Sequence, residues 1–321
     1  MTPLHAVPGD APQPSRSGSL TQVRVEAPGK VNLFLSAGAP GADGYHPLTT
    51  VFQAVRLIET VTARRQAADL HGTITLTLTE PDPSVPTDAT NLAVRAAALL
   101  AEATGVNDGV DLLLRKRVPV AGGMAGGSAD AAATLVACNT LWGTGLSQAE
   151  LVGLAAELGA DVPFPLRGAT AVGHGRGDRL TPLIARGTYH WVFATAAQGL
   201  STPAVFRRFD EIAPAPAAPV DVPAALTTAL RDGDTAALAA CLHNDLQAAV
   251  LDLRPQLTEV IELAESAGAL RAIVSGAGPT IAALAPDPAV AVRVANALNA
   301  SDLVAGALRA DAPVAGARMV G

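Results

Sequence analysis

The stretch Pro119-Val-Ala-Gly-Gly-Met-Ala-Gly-Gly-Ser-Ala-Asp-Ala-Ala-Ala133 decides how the rest of this chain is read. Four of the six residues from Gly122 to Gly127 are glycine, and they run into Ser128–Asn139, an alanine-rich segment without Gly or Pro that reads as a helix. Glycines let backbone N–H groups converge without interference from Cβ, and the helix start behind them adds partial positive charge. Such a junction favours the phosphates of a nucleotide. It is not a Walker A loop, because no Gly-Lys-Ser/Thr follows, and it is not the G-x-G-x-x-G dinucleotide fingerprint. A flexible turn before a surface helix is the plainer alternative. A simple connector, however, would carry fewer glycines, since each costs chain entropy on folding.

Outward from the loop, strands and helices interleave. Val23-Arg-Val-Glu26 alternates at period two, and Val31–Leu35 reads as a second extended run. Thr50–Ile58 and Val110–Arg115 read as strands, and Thr73–Thr79, alternating Thr with Ile or Leu, as a half-exposed antiparallel strand. Asn91–Ala103 is an Ala/Leu helix, and Ser147 with Glu150 has capping-box spacing for another that ends at Gly159. In the second half, strands are expected near Tyr189–Ala194, Arg271–Ser275 and Thr280–Leu284. Helices are expected at Val222–Arg231, Thr235–Leu242, Gln256–Ala267 and Ala289–Asn299. Ala213–Pro219 is a Pro/Ala loop, and Gly173–Gly177 reads as a turn. Mixed spacing with antiparallel strands favours α+β over a doubly wound parallel sheet.

Composition narrows the partners. Hydrophobic residues at 49% and charged residues at 16% describe a chain able to fill a core. A net charge of −7 without a basic stripe argues against nucleic acid. The dense cationic run Arg115-Lys116-Arg117 reads as a solvated strand end in preference to a phosphate contact. The two cysteines, Cys138 and Cys241, sit in apolar settings and suggest a reducing cytoplasm. No apolar run is long enough for a membrane span, so no membrane partner is expected. Residues 1–20, rich in Pro, Ser and Gly, read as a disordered tail instead of a signal peptide. Only two of the 22 basic residues are lysine, Lys30 and Lys116, which marks Lys30 as a position needing a compact ammonium.

Three signatures occur in order: Ala27-Pro-Gly-Lys-Val-Asn-Leu33, the Pro119 glycine loop, and Ser275-Gly-Ala-Gly-Pro279. Together they resemble the GHMP small-molecule kinases, across roughly Val23 to Leu284. The resemblance implies a two-lobed α+β fold, with a ribosomal S5 domain 2-like N-terminal nucleotide-binding domain over 21–184 and a ferredoxin-like C-terminal domain over 185–321. It implies ATP and Mg²⁺ as cofactors and a small-molecule alcohol as substrate. Asp43-Gly-Tyr-His46, Leu158-Gly-Ala-Asp-Val-Pro163 and Asn244-Asp-Leu246 are similar to members acting on a cytidyl diphosphate ester, as a monomer or weak homodimer. A homoserine or mevalonate type of kinase is the alternative, and a non-catalytic nucleotide-sensing module is a further one.

Site residues carried by the resemblance are specific. Asp161, held at a rigid corner between Gly159 and Pro163, is expected as general base, with Lys30 holding it and the substrate hydroxyl. Pro119, Val120, Ala121, Gly122, Gly123, Met124, Ala125, Gly126, Gly127, Ser128 and Ala129 would cradle the phosphates. Asn91 would lie near adenine, or simply cap its helix. Tyr45 and Phe206 would sandwich the base, His46 would bond its edge, and Asn32 and Thr202 would reach the substrate. The metal ligands are not identified; Ser128 is the loop's one candidate. Gly29, Met124, Ala125 and Ala129 depart from the family's usual residues, and Ala125 requires a negative φ to replace glycine without strain.

Overall fold

The computed structural model describes residues 20–67, 70–120, 122–212 and 216–320. Nearly all of the expected tail, Ala121 of the loop and residues 213–215 lie outside the described residues. The chain folds into two sheets with helices packed on them. β1 (Gln22–Ala37) and β2 (Leu48–Arg65) form a long antiparallel pair at the centre of the first sheet. The two extended runs read in the sequence are one strand, β1. Its register shifts at Pro28/Gly29 and again at Asn32/Phe34, where a proline and the site residues interrupt the ladder.

β3 (Ile74–Leu78) lies at the sheet's edge and is half-exposed as its alternation requires, but it pairs with β4 (Val110–Arg115) in parallel. The antiparallel expectation fails because the two strands are joined by a crossover through helix α1 (Leu92–Thr104), which returns the chain to the same end of the sheet. Alternation reports which face is wet; direction depends on the connection.

α2 (Gly126–Trp142) is the central helix of this lobe. Its run of buried alanines, Ala129 and Ala131–Ala133 among them, lets it lie close to β1, β2 and α1. A helix apolar on all sides is a core helix. The helix α3 (Gln148–Leu158) has the full Ser147/Glu150 capping box, and the short α4 (Pro163–Arg167) follows two residues after Asp161. β5 (Thr170–His174) pairs with β2, and β6 (Arg179–Pro182) closes a hairpin with it.

The second sheet contains β7 (Tyr189–Thr195), while helices α5 (Thr202–Ile212), α6 (Ala224–Asp232) and α7 (Thr235–Cys241) follow it in the chain. β8 (His243–Asn244) returns to pair with β1, and α8 (Gln247–Leu253) and α9 (Leu257–Ser266) come next. β9 (Arg271–Val274), β10 (Ile281–Ala285), α10 (Pro288–Asn299) and β11 (Gly306–Ala312) complete the lobe. The spatial order β11-β7-β10-β9, all antiparallel, is the ferredoxin-like arrangement. The last strand, β12 (Arg318–Met319), crosses back to pair with β1.

A shared core joins the lobes. Leu33 of β1, Trp191 and Phe193 of β7, Leu226 of α6 and Leu238 of α7 pack together with Met124 of the glycine loop. Trp191 Nε1 donates to Gln53 Oε1 at 3.2 Å, tying the second sheet to β2. Truncating a fully buried aromatic such as Trp191 costs about 3–5 kcal/mol, so the mutual placement of the lobes is stiffly held.

Candidate active site

A cleft of about 800 Å³ opens between the lobes, lined at one end by Lys30, Asn32, Gly123, Ser128 and Asp161. At the other end lie Tyr45, His46, Arg176, Thr202 and Phe206. The three signatures, distant in sequence, meet at the first end. The Lys30 backbone N–H donates to the Met124 carbonyl at 3.1 Å, which fastens β1 to the glycine loop. Ser275 Oγ donates to the Gly123 carbonyl at 3.2 Å. A Cβ on Gly123, where φ is 73°, would strike the Ser275 carbonyl, so only glycine allows the two turns to close on each other. Asn244 Nδ2 donates to the carbonyls of Val274 and Gly276, each at 2.8 Å, and holds that second turn from behind.

Lys30 is buried, and its Nζ donates to Asn32 Oδ1 at 2.7 Å. The ammonium stands 3.7 Å from Asp161 Oδ2 and 5.5 Å from the Phe52 ring centroid. Asn32 in turn donates to Thr50 Oγ1 at 2.8 Å, and Thr50 donates to the Phe34 carbonyl at 2.8 Å. This chain fixes both the amide and the ammonium. Burial lowers the Lys30 pKa, while the Asp161 carboxylate pulls it back up. Asp161 itself is substantially exposed to the cleft, at 41% for its side chain, and so is free to meet a ligand.

The loop is clamped at both ends by an ion triad that the sequence reading missed. Lys116, expected on a solvated strand end, is largely withdrawn from solvent; its Nζ lies 2.6 Å from Glu59 Oε1 and also bonds Asp130 Oδ2. Glu59 accepts the N–H groups of Arg117 and Val118 at 2.9 and 3.3 Å, where the loop begins. Asp130 projects from the first turns of α2, where the loop ends. The physical reason is that a carboxylate buried on an alanine-rich helix needs a cation, and this lysine is within reach. Burial pushes the Asp130 carboxyl up to about 7, against the pull of Lys116. The signal was present as a lone Asp in an alanine helix.

Ala125 also departs from expectation. Its φ is +59°, in the left-handed region, so the alanine carries strain that glycine would avoid. Gly29 has a clearer account: a Cβ there would sit 3.0 Å from Val118 Cγ2. Of the described loop residues, Gly123 and Ser128 line the cleft; Pro119, Val120, Gly122, Met124, Ala125, Gly126, Gly127 and Ala129 do not. Met124 is instead buried in the shared core, and Ala121 lies outside the described residues. Asn91 caps α1, accepting from Ala93 N and donating to the Pro86 carbonyl, and does not line the cleft.

At the far end, Thr202 and Phe206 share one face of α5, a helix the sequence reading did not identify despite Val205, Phe206 and Phe209 at helical spacing. His46 is buried, with Nδ1 2.8 Å from the Gly38 carbonyl and Nε2 3.4 Å from Asp210 Oδ2. Its ring stacks on Phe206 at 4.7 Å between centroids, so in this structure His46 occupies the face of Phe206. Tyr45 is 56% exposed, with the Arg176 guanidinium 4.7 Å over its ring. Arg176 belongs to the Gly173–Gly177 segment, expected as a turn throughout; Gly173 and His174 instead end strand β5, and the turn at Gly175–Asp178 brings Arg176 to the cleft.

A glycine cradle opposite a carboxylate steadied by an ammonium is equipment for moving a phosphoryl group onto an alcohol. The protein is an ATP-dependent small-molecule kinase in class. The family model described as "GHMP kinases N terminal domain" matches residues 91–169, and "GHMP kinases C terminal" matches 226–302. This chain belongs to the GHMP kinase family.

Among curated relatives, the 4-diphosphocytidyl-2-C-methyl-D-erythritol kinase of Leifsonia xyli subsp. xyli is 53% identical over 307 residues, covering 93% of this chain and 98% of its own. The kinase of the same name from Clavibacter michiganensis subsp. michiganensis is 50% identical, covering 93% and 96%. A crystal structure of 4-(cytidine 5'-diphospho)-2C-methyl-D-erythritol kinase superposes with a TM-score of 0.74 at 33% identity, covering 91% of this chain and 99% of that one. Homoserine kinase from Cytophaga hutchinsonii reaches a TM-score of 0.73 at 20% identity over 95% and 99%, a likeness of fold. Among the described residues no helix is long and apolar enough to cross a membrane.

Proposed function

We propose that this chain transfers the γ-phosphoryl group of ATP to the 2-hydroxyl of 4-diphosphocytidyl-2-C-methyl-D-erythritol, a step of non-mevalonate isoprenoid precursor biosynthesis. The observation that carries the reading is the Lys30–Asp161 pair, 3.7 Å apart, in a cleft that also holds Gly123 and Ser128 of the glycine loop. Relatives named for this reaction at about half identity over nearly the whole chain support the choice of substrate. Asp161 takes the alcohol proton, the oxygen attacks the γ-phosphorus in line, and the bond to ADP breaks. Lys30, oriented by Asn32 and Thr50, holds both Asp161 and the hydroxyl and offsets charge on the transferring group.

The glycine loop, of which Gly123 and Ser128 line the cleft, cradles the triphosphate through its backbone. Mg²⁺ bound with nucleotides needs only one or two protein oxygens besides phosphate. The Ser128 hydroxyl, which lines the cleft, fits that demand and would supply one of them. When bound, the ion neutralises charge on the phosphates. Tyr45, His46, Phe206 and Thr202 receive the cytidyl portion. The lobe division falls near 184–185, between β6 and β7, and the protein acts in the cytoplasm as a monomer or weak homodimer.

A coupled ADP-release assay comparing the cytidyl substrate with homoserine and mevalonate tests the reading. Turnover with the cytidyl substrate at least a hundredfold more efficient than with the others is expected. Preference for homoserine or mevalonate would overturn it.

A further inference from the structure

The cleft contains a cation whose role the reaction above leaves unassigned. Arg176 stands at the tip of the β5–β6 hairpin, and the tip is well anchored. The Gly177 N–H donates to the His174 carbonyl at 3.0 Å, and the Arg176 N–H to Asp178 Oδ1 at 3.1 Å. The Leu48 N–H donates to the Gly175 carbonyl at 2.7 Å, docking the hairpin onto the segment that carries Tyr45 and His46. The guanidinium lies 4.7 Å over the Tyr45 ring. Stacking uses the flat face of a guanidinium and leaves its fork of N–H donors free at the edge.

Charge balance in the cleft points the same way. Lys30 faces Asp161, and His46 faces Asp210. Arg176 and Arg207 both line the same cleft without an ion pair among the described residues, and of the two only Arg176 is seated on an aromatic ring there. An exposed arginine seated on an aromatic ring, with its donors unspent, is suited to phosphate oxygens. In a nucleoside diphosphate ester the diphosphate lies between base and alcohol. In this cleft Arg176 lies over the Tyr45 ring and lines the same cavity as Lys30 and Asp161.

We propose that Arg176 is a specificity residue that reads the diphosphate of the nucleotidyl substrate, using the Tyr45 ring as its seat. The assignment rests on the cytidyl reading above and adds a residue and a chemical contact to it.

Cytidine, CMP and CDP, measured as competitive inhibitors against the cytidyl substrate at saturating ATP, test it in the wild type, Arg176→Ala and Arg176→Lys. In the wild type, affinity should rise about tenfold or more from cytidine to CDP. Arg176→Ala should abolish most of that rise while leaving cytidine within about threefold and KM for ATP unchanged. Arg176→Lys should keep part of the rise, because the charge remains and the fork does not. Equal losses for cytidine and CDP would mean that Arg176 serves only to seat Tyr45, and would overturn the proposal. So would an unchanged ladder. A wild-type protein inactive on any cytidyl substrate would instead sink the function on which the proposal stands. Since Arg176 is exposed, an unchanged Tm separates these outcomes from misfolding.

Discussion

The two ends of the cleft are built on opposite principles. At the proposed phosphate end, two turns and strand β1 from remote parts of the chain lock together, and Lys30, Asn32, Ser275, Glu59 and Asp130 are buried, with Lys116 largely withdrawn from solvent. At the base end, Tyr45 and Arg176 are exposed on a loop and a hairpin tip, and Phe206 rides on a surface helix. Electrostatic stabilisation of a transition state requires groups already fixed in place, because reorganisation would consume the gain. Recognition of a flat base only requires faces that can close on it. Burial is therefore concentrated around Lys30 and the glycine loop, where the proposed transfer takes place.

That contrast can be broken at either end, and the expected effects differ in size. Asp161→Asn should lower kcat by ~10² or more with KM for ATP near wild type, as read by steady-state kinetics. Substantial retained turnover would remove Asp161 from the base role. The companion pH profile follows from Lys30, whose depressed pKa places loss of the ammonium below the ordinary lysine range. The alkaline limb of kcat/KM should accordingly fall earlier than 10.5, the usual lysine value.

Tyr45→Ala should act on the substrate side alone, raising KM for the cytidyl substrate by about tenfold, the ~1–3 kcal/mol of a stacked base. Equal changes in the KM for ATP would erase the distinction between the two ends.

Asp130→Asn probes the clamp beneath the loop. The folded protein holds the Asp130 carboxyl well above its ordinary value of 3.8, at about 7, so the native state binds the extra proton in between. Stability contributed by that proton is present below about 4 and is lost as pH rises through about 7. The wild-type Tm should therefore fall relative to Asp130→Asn between about pH 4 and about pH 7. A pH-independent difference would mean that the triad titrates elsewhere.

The smallest effect is expected from Ala125→Gly. Relief of left-handed strain should stabilise the protein by about 1 kcal/mol, a rise of about 2–4 °C in Tm. An unchanged or lower Tm would mean that the strain is offset by the entropy of the new glycine.

Much of this was legible in one dimension. The glycine loop, the capping box at Ser147, the helix-capping Asn91 and most strands follow from local rules of conformation, which act over a few residues and leave a periodic trace. Lys30 and Asp161, which the structure brings within 3.7 Å, each sit in a compact motif. Other features left no such trace. The parallel pairing of β3 depends on where a crossover lands, and α5 was hidden in a short segment beside a Pro/Ala loop. Arg176 looked like part of an ordinary turn until the hairpin docked beside Tyr45.

By itself, the order of residues determined the class of chemistry: a phosphate cradle, a scarce lysine, a cornered carboxylate and the α+β pattern around them. Tertiary structure alone decided that Lys116 is an ion-paired clamp instead of a solvated charge, that Ala125 bends left-handed, and that an arginine and a tyrosine more than a hundred residues apart in the chain share one contact. The physical reason is range. Backbone preference and capping are set by neighbours in sequence, whereas burial and the pairing of charges are set by neighbours in space.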